Sequence, residues 1–181
     1  SGGTVHLAPG TYNLDQNTLT IPANCRLVGS GKGNTILKAN HFQDVVHGGD
    51  IVLGALSKWS IKNLSIDMAS SSKSGILTPS REGTVGEIDS IGIKGGLATS
   101  WGITIEANNI ISIRNVTYEG NGSGIRFNNP VSWQANYGDS LIESCDIYLA
   151  SANTTGISLE SPANGINRIN NILISRCEIL G

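Results

Sequence analysis

The sequence predicts an all-β chain wound as a right-handed, single-stranded parallel β-helix, a solenoid of three sheets. Three observations predict it. A nine-residue segment recurs in four places, a Gly-Ile-x-apolar motif precedes three of the copies, and the composition favours turns over charge. Only 14% of the 181 residues are charged, which argues against a helical surface, while 23 glycines supply the corners that many short strands need.

The nine-residue copies are Trp59–Asp67, Ile111–Glu119, Ser140–Tyr148 and Ile172–Leu180. Each carries an apolar residue at its third, sixth and eighth positions. Their middles are Asn63, Asn115, Ser144 and Arg176. The preceding motif is Gly102-Ile-Thr-Ile105, Gly124-Ile-Arg-Phe127 and Gly156-Ile-Ser-Leu159. Repetition at roughly the length of one coil marks a stack of supersecondary units, each burying its apolar face against the next.

One coil reads in order. Gly102–Ile105 alternates apolar and polar residues, as a half-buried strand does. Glu106–Asn109 is a turn, and Ile111–Arg114 is a second strand. Asn115 makes a tight corner, because Asn tolerates left-handed backbone angles. Val116–Glu119 is the third strand, and Gly120–Ser123 returns the chain to the first sheet. Stacked coils pair their backbones at about 4.8 Å. The stretch 68–100, with its Ser-rich run and Pro79-Ser80-Arg81-Glu82-Gly83, breaks this rhythm and is expected as a long loop insertion in a single domain spanning 1–181. The chain starts and stops in mid-pattern, which is expected of a segment of a longer protein.

The opening turns carry a resemblance. Pro9-Gly10-Thr11-Tyr12 and Gly29-Ser30-Gly31-Lys32-Gly33, in their strand contexts, resemble the first coils of the pectate-lyase-like β-helix superfamily, in the style of bacteriophage tailspikes. The resemblance implies an extracellular, secreted or virion-associated protein that meets a polysaccharide, and assembly as a homotrimer or larger. It carries no catalytic residue with it, because the Asn-Thr-Asp, Asp-Asp, Gly-His-Gly and Arg-Ile-Lys motifs of polygalacturonases are not in this sequence. The turn Gly29–Gly33 is not a phosphate-binding loop, since it runs into a strand instead of opening a helix.

Alternation along the third strands assigns faces. Leu64, Val116, Cys145 and Cys177 point inward, as do Ile66, Tyr118, Ile147 and Ile179. The outward positions gather Asp67, Glu119, Asp146 and Glu178 on one wall. Asp146 and Glu178 stack about 4.8 Å apart, and Glu119 to Asp146 is a diagonal pair at about 7–8 Å. Glu119, Asp146 and Glu178 are therefore the candidate catalytic residues. One acid would protonate a glycosidic oxygen and the other would activate water. The competing reading is a solvated wall of a soluble solenoid, where exposed acids need no partner. The candidate sugar-binding residues are Arg126, Trp133, Tyr137 and Tyr148, a cation and three rings in turns or on outward positions. Arg126 equally suits an ion pair with Glu106 or Glu160.

Metal and cofactor are not expected. His6, His41 and His47 are scattered, and three cysteines form no ligand cluster. Cys145 and Cys177 share an inward position in successive coils, which fits a buried thiol ladder with a disulfide as the alternative. A net charge of −2 leaves no basic field for nucleic acid, and no long apolar run suits a membrane span. Leu141 and Leu173 fall outward on the second sheet, where a subunit contact would cover them unless a register slip buries them. Three functions stay open. They are a carbohydrate-binding β-helix with possible tailspike-type depolymerase activity, a secreted polysaccharide lyase or hydrolase, and a structural spike, fibre or filament solenoid without ligand.

Overall fold

A computed structural model describes residues 2–39, 43–50, 57–69, 73–78, 84–106, 109–128, 136–137, 139–160, 168–169 and 171–181. Side chains are described for these residues except 49–50, 57, 84, 109, 136–137 and 168–169. Among them no helix is long and apolar enough to cross a membrane. Every strand pairing is parallel, and each strand's neighbours lie one coil away in sequence. The chain is a right-handed parallel β-helix, the hand that parallel crossover connections almost always take.

The first sheet stacks Leu19–Pro22, Val46–Asp50, Ser74–Thr78, Trp101–Glu106, Ser123–Asn128 and Ile157–Glu160. The second runs from Gly3–His6 and Cys25–Val28 to Asn109–Arg114, Ser140–Glu143 and Ile172–Ser175. The third runs from Gly10–Asp15 and Thr35–Ala39 to Thr117–Gly120, Asp146–Leu149 and Glu178–Leu180. Two long strands, Ser57–Asp67 and Thr84–Lys94, pass through the corner and fuse the second and third sheets into one ladder.

The corners sit where the repeat places them. Asn63, Asn115, Ser144 and Arg176 have φ between 52° and 56°, in the left-handed region. Each bend lets the next strand leave at an angle without breaking the ladder. Asn115 N–H still donates to the Glu143 carbonyl at 3.1 Å, and Ser144 N–H to Ser175 at 3.1 Å.

The expected insertion at 68–100 is corrected. It contains a complete coil: Ser74–Thr78 joins the first sheet, and Thr84–Lys94 supplies the second and third. Its corner is Ser90, with φ 56°. Ile88, Ile91 and Ile93 stand in register with Ile61, Leu64 and Ile66 and are equally buried. The coil opens on Gly86 where its neighbours have Trp59 and Ile111, and that substitution hid it. Gly86 is required there. A Cβ would lie 2.6 Å from both Trp59 Cζ2 and Ile111 Cδ1, so the Trp59 indole fills the volume that two coils would otherwise share.

The core is a column of Ile, Leu and Val with Trp59, Tyr118 and Phe127 at 3% exposure or less. Burial of apolar side chains of this size stabilises by about 1.5–3 kcal/mol each. The inward residues of the last coil, Leu159, Ile174 and Ile179, are exposed at 41–48%. Leu173 is 61% exposed and pairs in register with Leu141, so the outward assignment holds and no register slip buries it.

Candidate functional site: the outer wall of the third sheet

The register on the third sheet follows the alternation. Thr117 is paired with Asp146 and Asp146 with Glu178; Glu119 is paired with Tyr148 and Tyr148 with Leu180. Asp146 and Glu178 therefore occupy one outward column in adjacent coils, about 4.8 Å apart along the ladder. Glu119 stands in the other column, one coil back. Tyr148 is 39% exposed, and with Glu119, Leu149, Ala150, Leu180 and Gly181 it lines a shallow depression of about 310 Å³.

One member of the expected wall is displaced. Asp67 does not join the other acids, because the coil overlooked at 74–94 places Lys94 between Asp67 and Glu119. Lys94 Nζ pairs with Asp67 at 3.5 Å. The column then reads Lys38, Asp67, Lys94, Glu119, with signs alternating up the stack.

Sorting the acids by partner separates two groups. Glu87 pairs with Lys62, Glu143 with Arg114 and Arg176, and Glu160 with Arg126. Asp89 accepts from Asn115 and Asp139 from Asn171. The carboxylates of Glu119, Asp146 and Glu178 have no ion pair or hydrogen bond among the described residues. They are carboxylates that the fold itself does not use.

A lysine arrives that the sequence reading did not place. The turn Gly29–Asn34 folds across the outer face of the third sheet, where Gly33 N–H donates to Ser65 Oγ at 3.0 Å. Gly31 and Gly33, with φ of 126° and 80°, permit the bend. Lys32 Nζ thereby reaches Thr117 Oγ1 at 3.3 Å, on the strand next to Asp146. The turn runs into the strand Thr35–Ala39, as expected. The only sequence signal for Lys32 was its place in a Gly-rich turn, and nothing local says which coil such a turn will overlie.

On the first sheet Arg126 is engaged. Its Nη2 lies 2.7 Å from Glu160 Oε2, and its guanidinium lies 5.4 Å from the Trp101 ring centroid. Of the two readings of Arg126, the structure places it in the ion pair. Trp133 lies outside the described residues. Tyr137 is described in its backbone alone, where Asn136–Tyr137 pairs with Arg168–Ile169.

Beneath the wall, the thiol ladder is in place. Cys145 and Cys177 are both free. Burial pushes the Cys145 thiol up to about 11, with the neighbouring Cys177 adding to the rise. Burial likewise pushes the Tyr118 phenol up to about 12. The Gly122 backbone acts in the opposite sense.

No protein-family model and no curated protein sequence matches the chain. Two solved structures are similar in chain path. The A-module of the Azotobacter vinelandii mannuronan C-5 epimerase AlgE4 superposes with a TM-score of 0.49 at 15% identity. That likeness covers 96% of this chain and 59% of the module, so the chain spans about three fifths of its length. A "putative glycosyl hydrolase" of Parabacteroides merdae superposes with a TM-score of 0.39 at 12% identity, covering 97% of this chain and 82% of that one. Neither superposition bears on the site.

Proposed function

We propose that this β-helix binds a polysaccharide along the outer wall of its third sheet, with Tyr148 as the ring that stacks on a sugar face. The observation that carries the reading is the set of unpartnered outward acids, Glu119, Asp146 and Glu178, beside the half-exposed Tyr148. Carboxylates are strong acceptors for sugar hydroxyls, and an aromatic face packs against a pyranose. If the wall also cleaves, Glu119 and Asp146 divide the work. One protonates the glycosidic oxygen, and the other removes a proton from the attacking water. Their diagonal spacing of about 7–8 Å leaves room for that water. With three unpaired carboxylates against the one cation Lys32, held at Thr117, the wall suits a neutral sugar over an acidic one. The finer reading is an extracellular or virion-attached protein of tailspike type, trimeric through the outward Leu141 and Leu173.

The test is incubation with a panel of acidic and neutral polysaccharides. Binding, reducing ends and the absorbance of unsaturated products are read in parallel. Binding that falls about tenfold in Tyr148→Ala supports the wall, taking a stacked ring as worth about 1.4 kcal/mol. Binding to none of the glycans overturns the reading. Turnover unchanged in Glu119→Gln and Asp146→Asn removes them as an acid–base pair. Sedimentation at micromolar concentration, with Leu173→Asp as the control, tests the trimer.

A second reading, a structural solenoid without ligand, rests on the alternating column Lys38, Asp67, Lys94, Glu119. Such alternation is what a wall shaped by solubility and stacking alone would show.

A further inference from the structure

A second feature lies round the corner from the third-sheet wall, on the outer face of the second sheet. Arg26, Ser60, Glu87 and Ser112 are in register on four successive strands and form one outward column. Together with Asn24, Lys58, Trp59, Val85 and Gly86 they line a groove of about 450 Å³. Its polar groups are unusually idle. Among the described residues the hydroxyl oxygens of Ser60 and Ser112 are buried without a hydrogen-bond partner, and Ser60 is 4% exposed although it points outward. A buried polar group without a partner costs about 1–3 kcal/mol. Two of them in the walls of one groove form a pair that a ligand could relieve.

The donors outnumber the acceptors. Arg26 and Lys58 are exposed cations at the head of the groove and have no ion pair among the described residues. The one acid, Glu87, is tied to Lys62 at 2.7 Å and stands between the two serines in the column. An exposed pair of this kind holds its carboxylate weakly, by about 0–1 kcal/mol. Its side chain is therefore the group that an incoming ligand would move. A doubly charged oxyanion would meet Glu87 head on. A single carboxylate flanked by hydroxyls instead meets Arg26 or Lys58 with its charge and the serines with its hydroxyls. Strand spacing of about 4.8 Å further suits a chain laid across the strands, one unit per coil.

We propose that this groove is a binding site for a hydroxylated carboxylate, the group that a uronic or aldonic acid unit presents, and that it is separate from the third-sheet wall. The cations hold the carboxylate, Ser60 and Ser112 bond the hydroxyls, and Glu87 opposes entry and so sets the affinity.

The experiment is an NMR titration of the whole chain with sodium D-glucuronate and its oligomers, reading the backbone amides of Ser60, Glu87 and Ser112. Glucose and inorganic sulfate are titrated in parallel. Saturable shifts at these amides with glucuronate, weaker by about tenfold in Arg26→Gln/Lys58→Gln, are expected. Glu87→Gln is expected to tighten binding severalfold, a gain that a merely structural role for Glu87 would not produce. Tyr148→Ala is expected to leave these shifts unchanged, which separates this site from the third-sheet wall. No saturable shift at the three amides overturns the proposal. So does an equal response to glucose, which would remove the charge, or to sulfate, which would remove the hydroxyls. Weaker binding in Glu87→Gln overturns the role given to Glu87.

Discussion

The corner column offers a test in which backbone geometry, not contact area, sets the sign. Asn115, Ser144, Ser90 and Arg176 all hold φ between 52° and 56°. For an L-residue with a Cβ the left-handed region costs about 1–2 kcal/mol, a cost that Asn partly escapes and Gly does not bear. Asn115 also donates from Nδ2 to Asp89 Oδ1 at 2.9 Å, an exposed bond worth about 0.5 kcal/mol. Asn115→Ala loses both the tolerance and the bond, for a destabilisation of about 1.5 kcal/mol. Asn115→Gly loses the bond but keeps the conformation, for about 0.5–1 kcal/mol once glycine's extra chain entropy is counted. At Ser144, whose hydroxyl has no side-chain bond among the described residues, the sign reverses. Ser144→Gly relieves about 1 kcal/mol of strain against about 0.5 kcal/mol of entropy, and the protein gains about 0.5 kcal/mol. With a urea slope of about 2.5 kcal/mol/M, the midpoint falls by about 0.6 M for Asn115→Ala and rises by about 0.2 M for Ser144→Gly. The assay is urea unfolding read by circular dichroism and tryptophan fluorescence together, because a solenoid can unfold in parts and only coincident curves license the arithmetic. Asn115→Gly no more stable than Asn115→Ala, or Ser144→Gly clearly less stable than the parent, would refute the geometric account.

The remaining predictions concern the core and the wall. Cys145 and Tyr118 have pKa values raised in the folded state, so the stability they support is complete below their unfolded values. It is lost as pH climbs from about 9 through about 11 for the thiol, and from about 10 through about 12 for the phenol. Alkaline unfolding followed at 295 nm is expected to be cooperative across that window, and Tyr118→Phe should weaken its upper half. At pH 8 the buried Cys145 thiol should resist iodoacetamide until urea is added, as mass spectrometry of the alkylated peptides will show. Gly86→Val forces a side chain into space held by the Trp59 and Ile111 rings and methyls, and should lower stability by about 3 kcal/mol or abolish soluble expression. Glu119→Gln, Asp146→Asn and Glu178→Gln remove carboxylates without partners, so each should shift the urea midpoint by less than the equivalent of about 0.5 kcal/mol.

Much of the fold was legible because a solenoid writes its register into the sequence. The left-handed corners at Asn63, Asn115, Ser144 and Arg176 and the inward ladder Leu64, Val116, Cys145 follow from alternation and repeat alone. The coil at 74–94 escaped for a local reason. Gly86 replaced the large first residue of the repeat, Thr78 replaced the apolar end of the first-sheet motif, and a Ser-rich run preceded both. Ile88, Ile91 and Ile93 carried the signal nonetheless, at the third, sixth and eighth positions. The glycine that disguised the coil is there because Trp59, one coil away, needs the room, and a dependence between coils is invisible to a reading that takes each repeat singly.

The same distinction governs the site. Which face a side chain takes is a local property, fixed by a period of two, so Glu119, Asp146 and Glu178 were placed outward from the sequence. Which partner it meets is a property of the stack. Missing one coil brought Asp67 next to Glu119 on paper, whereas in the structure Lys94 stands between them and takes Asp67 as its partner. Arg126 shows the converse: its partner Glu160 lies in the neighbouring coil, and the sequence offered Glu106 on equal terms. The stack also decides what is left over. After Lys62, Lys94, Arg114, Arg126 and Arg176 have taken their acids, the carboxylates left without an ion pair or hydrogen bond among the described residues are Glu119, Asp146 and Glu178 in the last coils of the third sheet and Asp15 in its first. Of the cations without an ion pair among the described residues, Arg26 and Lys58 fall in the first coils of the second sheet, while Lys32 and Lys38 stand at the third. Charge left unpaired by an otherwise paired surface contributes little to the fold, so the three acids clustered at one end of the third sheet and the two cations clustered at the head of the second are the physical reason for assigning those faces different ligands.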